Sequence, residues 1–244
     1  MLDTAILGGT VVSDEIAGHF DLGISDGKIS HVAAPGTLPR AAKTVDATGL
    51  FILPGGVDVH YHARTPGYPE RGDFASETAA SAAGGVTTIL EMPISQPGCA
   101  TPDIFRNRRK LGEEQCIVDF GLYGAPGTLN EADVLGMAEE GAAAFKIFLH
   151  RPPAGRDEEF IGICLTGEPD LRKAVELVGR TGRPLVAHCE NDRLLQQGLD
   201  QLRSSGRRDV RAHGESRPPY VEVSAIATFL SLALHFDAHA HVAH

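Results

Sequence analysis

The sequence predicts an α/β protein in which a parallel sheet is covered by helices. Two observations lead to this. From residue 51 onward, short apolar runs rich in Val, Ile and Phe alternate with longer segments of helical period. Most of the helical segments carry punctuation of the right kind, such as Asp73 before and Gly84-Gly85 after one, and Pro169 early and Gly182 at the end of another. A third observation sets residues 1–52 apart. There the apolar runs are short, alternate in and out as strands do, and have no helical segment between them.

In chain order, "AILGGTVV", "HFDLGI" and "KISHVAA" read as strands of a small β module. Asp26-Gly27 within "SDGK" is the dipeptide a tight hairpin prefers, because both central residues need positive φ. The module's pattern falls short of a complete two-sheet core, and it reads as the N-terminal part of a β-sandwich. Residues 53–244 read as the second domain. "FILPGGVDVHYH" is expected to be one strand, running across the domain boundary. "DFASETAASAAGG" is a helix of small residues, with Asp73 as its N-cap and Gly84-Gly85 as its stop. Strands follow at "VTTILEMP", "CIVDFGLYGA", "AAAFKIFL", "RPLVAHC" and "AHAHVAH". Helices are expected at "EADVLGMAEEG", "EPDLRKAVELVGRTG" and "PYVEVSAIATFLSLALHF". That makes six strands, and an eight-stranded β/α barrel would need two more units.

Composition narrows the function classes. Lys and Arg number 22 against 32 Asp and Glu, a net charge of −10, which argues against binding a nucleic-acid backbone. The basic stretches "RNRRK" and "SSGRRDVR" are short and are expected to be solvated surface. The N-terminus shows no secretory pattern, and "AIATFLSLALHF" is too short to cross a bilayer. Four cysteines stand far apart without a C-x-x-C, which reads as reduced thiols in a cytoplasmic protein.

The chemistry-bearing residues sit at strand ends. His60 and His62 are two apart, so both leave the same face of a strand. Two adjacent imidazoles can hold a divalent metal, or be ordinary polar loop residues. Lys146 is a single charge inside an apolar strand, where an ammonium is costly to desolvate. It is either paired with a buried carboxylate, or neutral and able to form a carbamate with carbon dioxide. His188 and His244 end two further strands. Four strand ends with metal-binding groups form a more specific set than any one alone, and barrel enzymes assemble their centres in this way. Asp58, on the face of His60, is a structural residue or a support for it.

The ordered set "LPGGVDVHYHARTPG", "AAGGVTTILEMP", "GAAAFKIFL", "LVAHCEN", "SRPPYVEVSAI" and "AHVAH" closely resembles the cyclic amidohydrolases. These are the allantoinase, hydantoinase and dihydroorotase branch of the amidohydrolase superfamily. The resemblance implies an incomplete (β/α)8 TIM barrel of the metal-dependent hydrolases, here with about six strands. It implies two divalent metal ions. His60 and His62 would hold the more buried ion, His188 and His244 the more exposed one, and an N6-carboxylated Lys146 would bridge them. The donor set suits Zn2+, with Mn2+, Co2+ and Fe2+ left open. The implied reaction is hydrolysis of a ring amide in a small-molecule cyclic amide, with water as the second reactant. An aspartate that moves the proton is expected beyond residue 244, so the sequence reads as an N-terminal fragment. The resemblance also implies a dimer or tetramer.

For the substrate, Arg64 follows the pair as H-x-H-x-R, where dihydroorotases hold a carboxylate, but "MPIS" lacks the asparagine that accompanies it. Hydantoinases carry a tyrosine where Arg151 stands. "HCEN" and the segment from Ser216, with Glu222, resemble allantoinases most. The expected activity is therefore allantoinase-like, with dihydroorotase-like and hydantoinase-like activities as alternatives. The alternative of another class is an inactive remnant or a non-enzymatic assembly homologue.

Overall fold

A computed structural model describes all residues from Met1 to His244, in two compact units, Met1–Gly56 and Val57–His244. The first unit holds β1 (Leu2–Leu7), β2 (Thr10–Val12), β3 (Ala17–His19), β4 (Asp21–Ser25), β5 (Lys28–Ala33), β6 (Ala41–Asp46) and β7 (Phe51–Ile52). They form two small sheets, ordered β5-β4-β1-β6 and β3-β2-β7. Asp26 and Gly27 turn β4 into β5 with φ of 51° and 71°, as the Asp-Gly dipeptide predicts. Buried Asp21 ties two loops together, accepting from the Gly8 N–H at 2.9 Å and the Gly36 N–H at 2.7 Å. Ile29, Val32 and Val45 stay exposed, so the outer strands β5 and β6 leave apolar surface uncovered.

The strand predicted over "FILPGGVDVHYH" is in fact two. It breaks between β7 and β8 (Gly56–Tyr61). Pro54 supplies no N–H for a ladder, and Gly55 weakens a strand interior, so the run cannot remain one element.

The second unit repeats strand and helix. After β8 come α1 (Phe74–Ala83), β9 (Val86–Glu91), α2 (Pro102–Gln115), β10 (Asp119–Gly124), α3 (Glu131–Glu139) and β11 (Ala144–Phe148). Then follow α4 (Glu168–Gly179), β12 (Leu185–His188), α5 (Asp192–Ser204), α6 (Val210–Glu215), α7 (Pro219–His235) and β13 (Ala240–Ala243). The six strands form one sheet in simple chain order, β13-β12-β11-β10-β9-β8, with the ladders from β9 to β13 parallel. Sequential parallel neighbours with helical crossovers are the winding of a β/α barrel.

Local chemistry sets the helix ends. Asp73 and Ser76 form a reciprocal capping box at the start of α1, and Gly85, at φ 83°, follows its end. Asn130 and Asn191 cap α3 and α5 by accepting backbone N–H groups. Helices α2, α5 and α6 go beyond the predicted set. Within α2, "RNRRK" is only partly solvated, because Arg108 is 1% exposed. Phe105, Arg108 and Gly112 are its buried residues, spaced by three and four, so helical period turns Arg108 inward.

Strand alternation divides the core. Phe145 and Ile147 of β11, with Leu185 and Ala187 of β12, pack outward with Phe105, Met137, Leu171, Val175 and Phe229 in the main apolar cluster. Burying a side chain of this size contributes roughly 1.5–3 kcal/mol. The opposite faces carry Ala144 and Val186, which join Met92, Tyr123 and Ala243 in a smaller cluster on the inside of the curled sheet.

Candidate metal centre

The inner face of the sheet positions the site. On β11, alternation puts Lys146 on the side of Ala144, opposite Phe145 and Ile147. The β11–β12 register pairs Lys146 with Val186 and Phe148 with His188. The β12–β13 register pairs His188 with Ala243, so His244 follows one residue beyond.

The rings converge. His60 and His62 lie 5.5 Å apart between centroids, His60 and His244 5.1 Å, and His188 and His244 4.8 Å. His60 belongs to one edge strand and His244 follows the other, so the sheet curls far enough to bring its two edges together. A cavity of about 500 Å³ opens beside them, lined by Val59, Leu90, Met92, Tyr123 and Val186 as well as His60 and His244.

Burial disfavours the protonated forms of His60, His62, His244 and Lys146. Burial, followed by the charge of Lys146, lowers the pKa of His60 to about 4. Burial, then Arg64, lowers that of His62 to about 3. His244 is also lowered, chiefly by burial. Lys146 is fully buried, and its Nζ has no hydrogen-bond partner, lying 5.0 Å from the Phe148 ring centroid. Burial lowers its pKa to about 8. His62 Nδ1 and His188 Nδ1 are likewise buried without partners. Unpartnered buried polar atoms are rare in a folded chain and call for an explanation. A set of imidazole nitrogens beside an amine whose charge burial disfavours has the donor chemistry of a divalent metal site.

The remaining sequence-selected residues lie as follows. Asp58 accepts the His60 backbone N–H at 2.9 Å, a local structural bond. Arg64 Nη1 lies 3.9 Å from Glu159 Oε2 and makes no hydrogen bond. Glu159 takes two hydrogen bonds from Arg156, at 2.9 and 2.6 Å, and has Arg71 at 3.7 Å. One buried carboxylate thus faces three guanidinium groups. Arg151 grips Asp192 with Nε at 3.0 Å and Nη2 at 2.7 Å.

Two groups escaped the sequence reading. Donor atoms of His150, His188 and Glu190 lie within 4.8 Å of one another, and Glu190 accepts from His188 Nε2 at 2.7 Å. Glu190 is two residues past His188, the same spacing that drew attention to His60 and His62. The second group is the buried pair of Glu91 and Arg108, at 2.7 Å. Glu91 also accepts the Ala63 N–H at 2.7 Å, fixing the backbone between His62 and Arg64. A larger open cleft of about 620 Å³ lies on the far side of His150, between the segment after β11 and helices α5 and α6. Most of its arginines are already paired: Arg151 with Asp192, Arg207 with Asp209 and Glu215, and Arg217 with Glu190.

Known proteins resemble the chain as a whole. No family model matches the chain. An allantoinase from Deinococcus radiodurans is 33% identical over 244 residues, covering 100% of this chain and 53% of that protein. A dihydroorotase from Methanothermobacter thermautotrophicus is 31% identical over 224 residues, covering 92% of this chain and 48% of its own. The solved structure of an L-hydantoinase from Arthrobacter aurescens superposes with a TM-score of 0.90 at 30% identity, over 99% of this chain and 52% of that one. The chain spans about half the length of the relatives it matches. It contains six strands of the barrel fold, together with a small N-terminal β unit. With allantoinase, hydantoinase and dihydroorotase relatives matched along nearly its whole length, the chain belongs to the cyclic amidohydrolase family.

Proposed function

We propose that the chain carries the metal-binding part of a cyclic amide hydrolase of allantoinase-like specificity. The observation that carries this reading is Lys146: a fully buried amine with no partner, set among four converging imidazoles at the ends of parallel strands. His60 and His62 would hold one divalent ion, His188 and His244 a second, and Lys146, as its carbamate, would be shared by both. Zn2+ suits the donor set, and Mn2+, Co2+ and Fe2+ share the same preferences. When bound, such ions supply Lewis acidity and lower the pKa of water.

The chain's own residues prepare for this. Burial brings Lys146 to a pKa of about 8, so a useful fraction is neutral amine near neutral pH. Only that form attacks carbon dioxide, forming an N–C bond and releasing a proton. His60 and His62, with pKa values of about 4 and 3, keep their lone pairs throughout the physiological range. Glu91 and Arg108 hold the Ala63 backbone and so fix the direction of the His62 and Arg64 side chains. Arg64, with an unpartnered Nη1, would bind the ureido or anionic edge of a ring substrate.

Allantoinase-like specificity is favoured by the 33% identity to an allantoinase along the whole chain. The Arg151–Asp192 pair also fills the position where the resemblance to hydantoinases asks for a tyrosine. The four free thiols fit a reducing cytoplasm, and no helix is long and apolar enough to cross a membrane. The partners proposed are a small cyclic ureide and water, with a homodimer or homotetramer as the assembly.

Metal content tests the reading. The chain should bind close to two divalent ions, and Lys146→Ala should lose them and recover them when a short-chain carboxylate is supplied. Full metal content in that variant without added carboxylate overturns the assignment. Parallel assays with allantoin, a hydantoin and dihydroorotate then rank the substrates.

A further inference from the structure

Glu190 lies just beyond β12, and each of its carboxylate oxygens has its own partner. Oε2 lies 2.7 Å from His188 Nε2, and Oε1 lies 2.9 Å from Arg217 Nε. A carboxylate accepts and does not donate, and a guanidinium donates only. The hydrogen bond to His188 therefore requires the imidazole proton on Nε2. A neutral imidazole has one proton, so Nδ1 carries the lone pair. Nδ1 is the buried nitrogen of His188 that has no partner.

The surroundings close off the alternatives. His150 Nδ1 lies 2.6 Å from the Arg151 carbonyl oxygen, which only accepts. The His150 proton is thereby held on Nδ1. Its Nε2, 3.8 Å from Glu190, is a lone pair and offers His188 no competing donor. The His188 ring is stacked on Phe148 at 4.8 Å and 16°, which fixes its plane. Arg217 reaches Glu190 from the turn before α7, and the first turn of α7 is tied to the segment after β12 by the Asn191 N–H on the Val221 carbonyl at 3.0 Å.

We propose that Arg217 and Glu190 form a positioning pair that holds the proton of His188 on Nε2 and leaves Nδ1 as the metal donor. This rests on the reading of His188 as a metal ligand and gives a physical role to the Ser216-Arg217-Pro218 stretch. The same cluster is not built as a separate cation site. Both Glu190 oxygens are already engaged, and the Arg217 guanidinium would stand beside any ion held there.

Glu190→Gln separates the possibilities. Gln keeps the shape, but Arg217 can only donate and so claims the amide oxygen. The amide N–H2 then faces His188 Nε2, which must accept, and the proton moves to Nδ1. Multiple-bond 1H–15N correlation spectra of the metal-free chain, labelled at histidine, read the tautomer directly. The His188 signals are assigned by their loss in His188→Asn, and thermal melts verify that each variant is folded.

The wild-type chain should show Nε2–H at His188, and Glu190→Gln should show Nδ1–H. Zinc affinity by equilibrium dialysis should fall by about 10–100-fold in Glu190→Gln, as for other partners of metal-bound histidine. The Arg217→Met, Glu190→Gln double variant frees the amide to turn and should recover most of that loss. An unchanged tautomer in Glu190→Gln overturns the proposal, and so does a reversed tautomer with unchanged zinc affinity. An equal loss of zinc in His150→Ala, with the tautomer intact, overturns it in favour of a cation site at His150 and Glu190. If the wild-type chain takes up no zinc while His188 shows Nε2–H, the metal centre fails and the tautomer assignment stands.

Discussion

Replacing Arg108 with Met is the sharpest test of how the loop after β8 is held. The Arg108 side chain is 2% exposed, and that of Glu91 is 1% exposed. Met fills much the same volume but removes the charge, together with the hydrogen bonds to Glu91 and to the Ser95 hydroxyl. Glu91 is left buried with the Ala63 N–H as its remaining donor. Breaking a buried pair from one side costs about 3–5 kcal/mol, mostly because the other charge is stranded.

The cost should depend on pH in a defined direction. Burial pushes the Glu91 carboxyl up to about 8, against the opposing pull of Arg108. That value lies above the roughly 4.3 of an unfolded glutamate. The folded chain therefore holds this proton more tightly, and the contribution of Glu91 to stability is full below about pH 4.3 and lost as pH rises through about 8. Arg108 limits that loss. The deficit of Arg108→Met should be small at pH 5 and grow as pH rises above about 8. Urea unfolding of the metal-free chain at several pH values measures it. Adding Glu91→Gln to Arg108→Met should restore about 2 kcal/mol, the coupling expected of residues in one network. A deficit below about 1 kcal/mol at pH 9, or one that does not vary with pH, refutes the picture of a charge-paired anchor.

Two further predictions follow from backbone geometry. Gly127 donates to the Gly162 carbonyl at 2.6 Å, and a Cβ there would lie 2.5 Å from the same oxygen. Gly127→Ala should therefore destabilise the chain by about 1–3 kcal/mol in urea melts, whereas Gly214→Ala, with no atom within 4 Å, should cost far less. Asn191 caps α5 by accepting the Leu194 N–H at 3.2 Å, so Asn191→Ala should lower stability by about 1 kcal/mol, and Asn191→Asp should restore most of it.

What the sequence made legible is what depends on near neighbours. The Asp26-Gly27 turn, the Asp73 cap and the six sheet strands of the second unit are each set by residues a few positions apart. What it hid depends on partners far along the chain. Arg108 sits in a run of basic residues and looks solvated until Glu91, 17 residues earlier, is folded against it. Glu91 in turn reaches back 28 residues to Ala63. A signal was present in both missed groups. Position 108 falls on the helical stripe of Phe105 and Gly112, and Glu190 repeats the two-residue spacing of the histidine pair. Polar residues at inward positions of a regular element are the ones for which a distant partner should be sought.

The same periodicity explains why so few residues suffice to build the site. Lys146, Phe148 and His150 lie two apart on and just beyond β11, and His188 and Glu190 do the same at β12. The register sets Phe148 against His188, so the aromatic ring lies 5.0 Å from the lysine Nζ and stacks at 4.8 Å on the histidine. On the proposed reading, the inward positions at these strand ends either supply a donor atom or pack against a residue that would. A slip of one residue in this register would turn Lys146 toward the helices and put Phe145 and Ile147 among the imidazoles. The apolar packing of Phe145 and Ile147 against Leu171, Val175 and Phe229 opposes that slip. The outer core therefore does more than stabilise the unit: by fixing which residues of β11 point outward, it fixes which one points into the centre. Substitutions that loosen the outer face of β11 should, on this reasoning, impair metal binding without touching a donor atom.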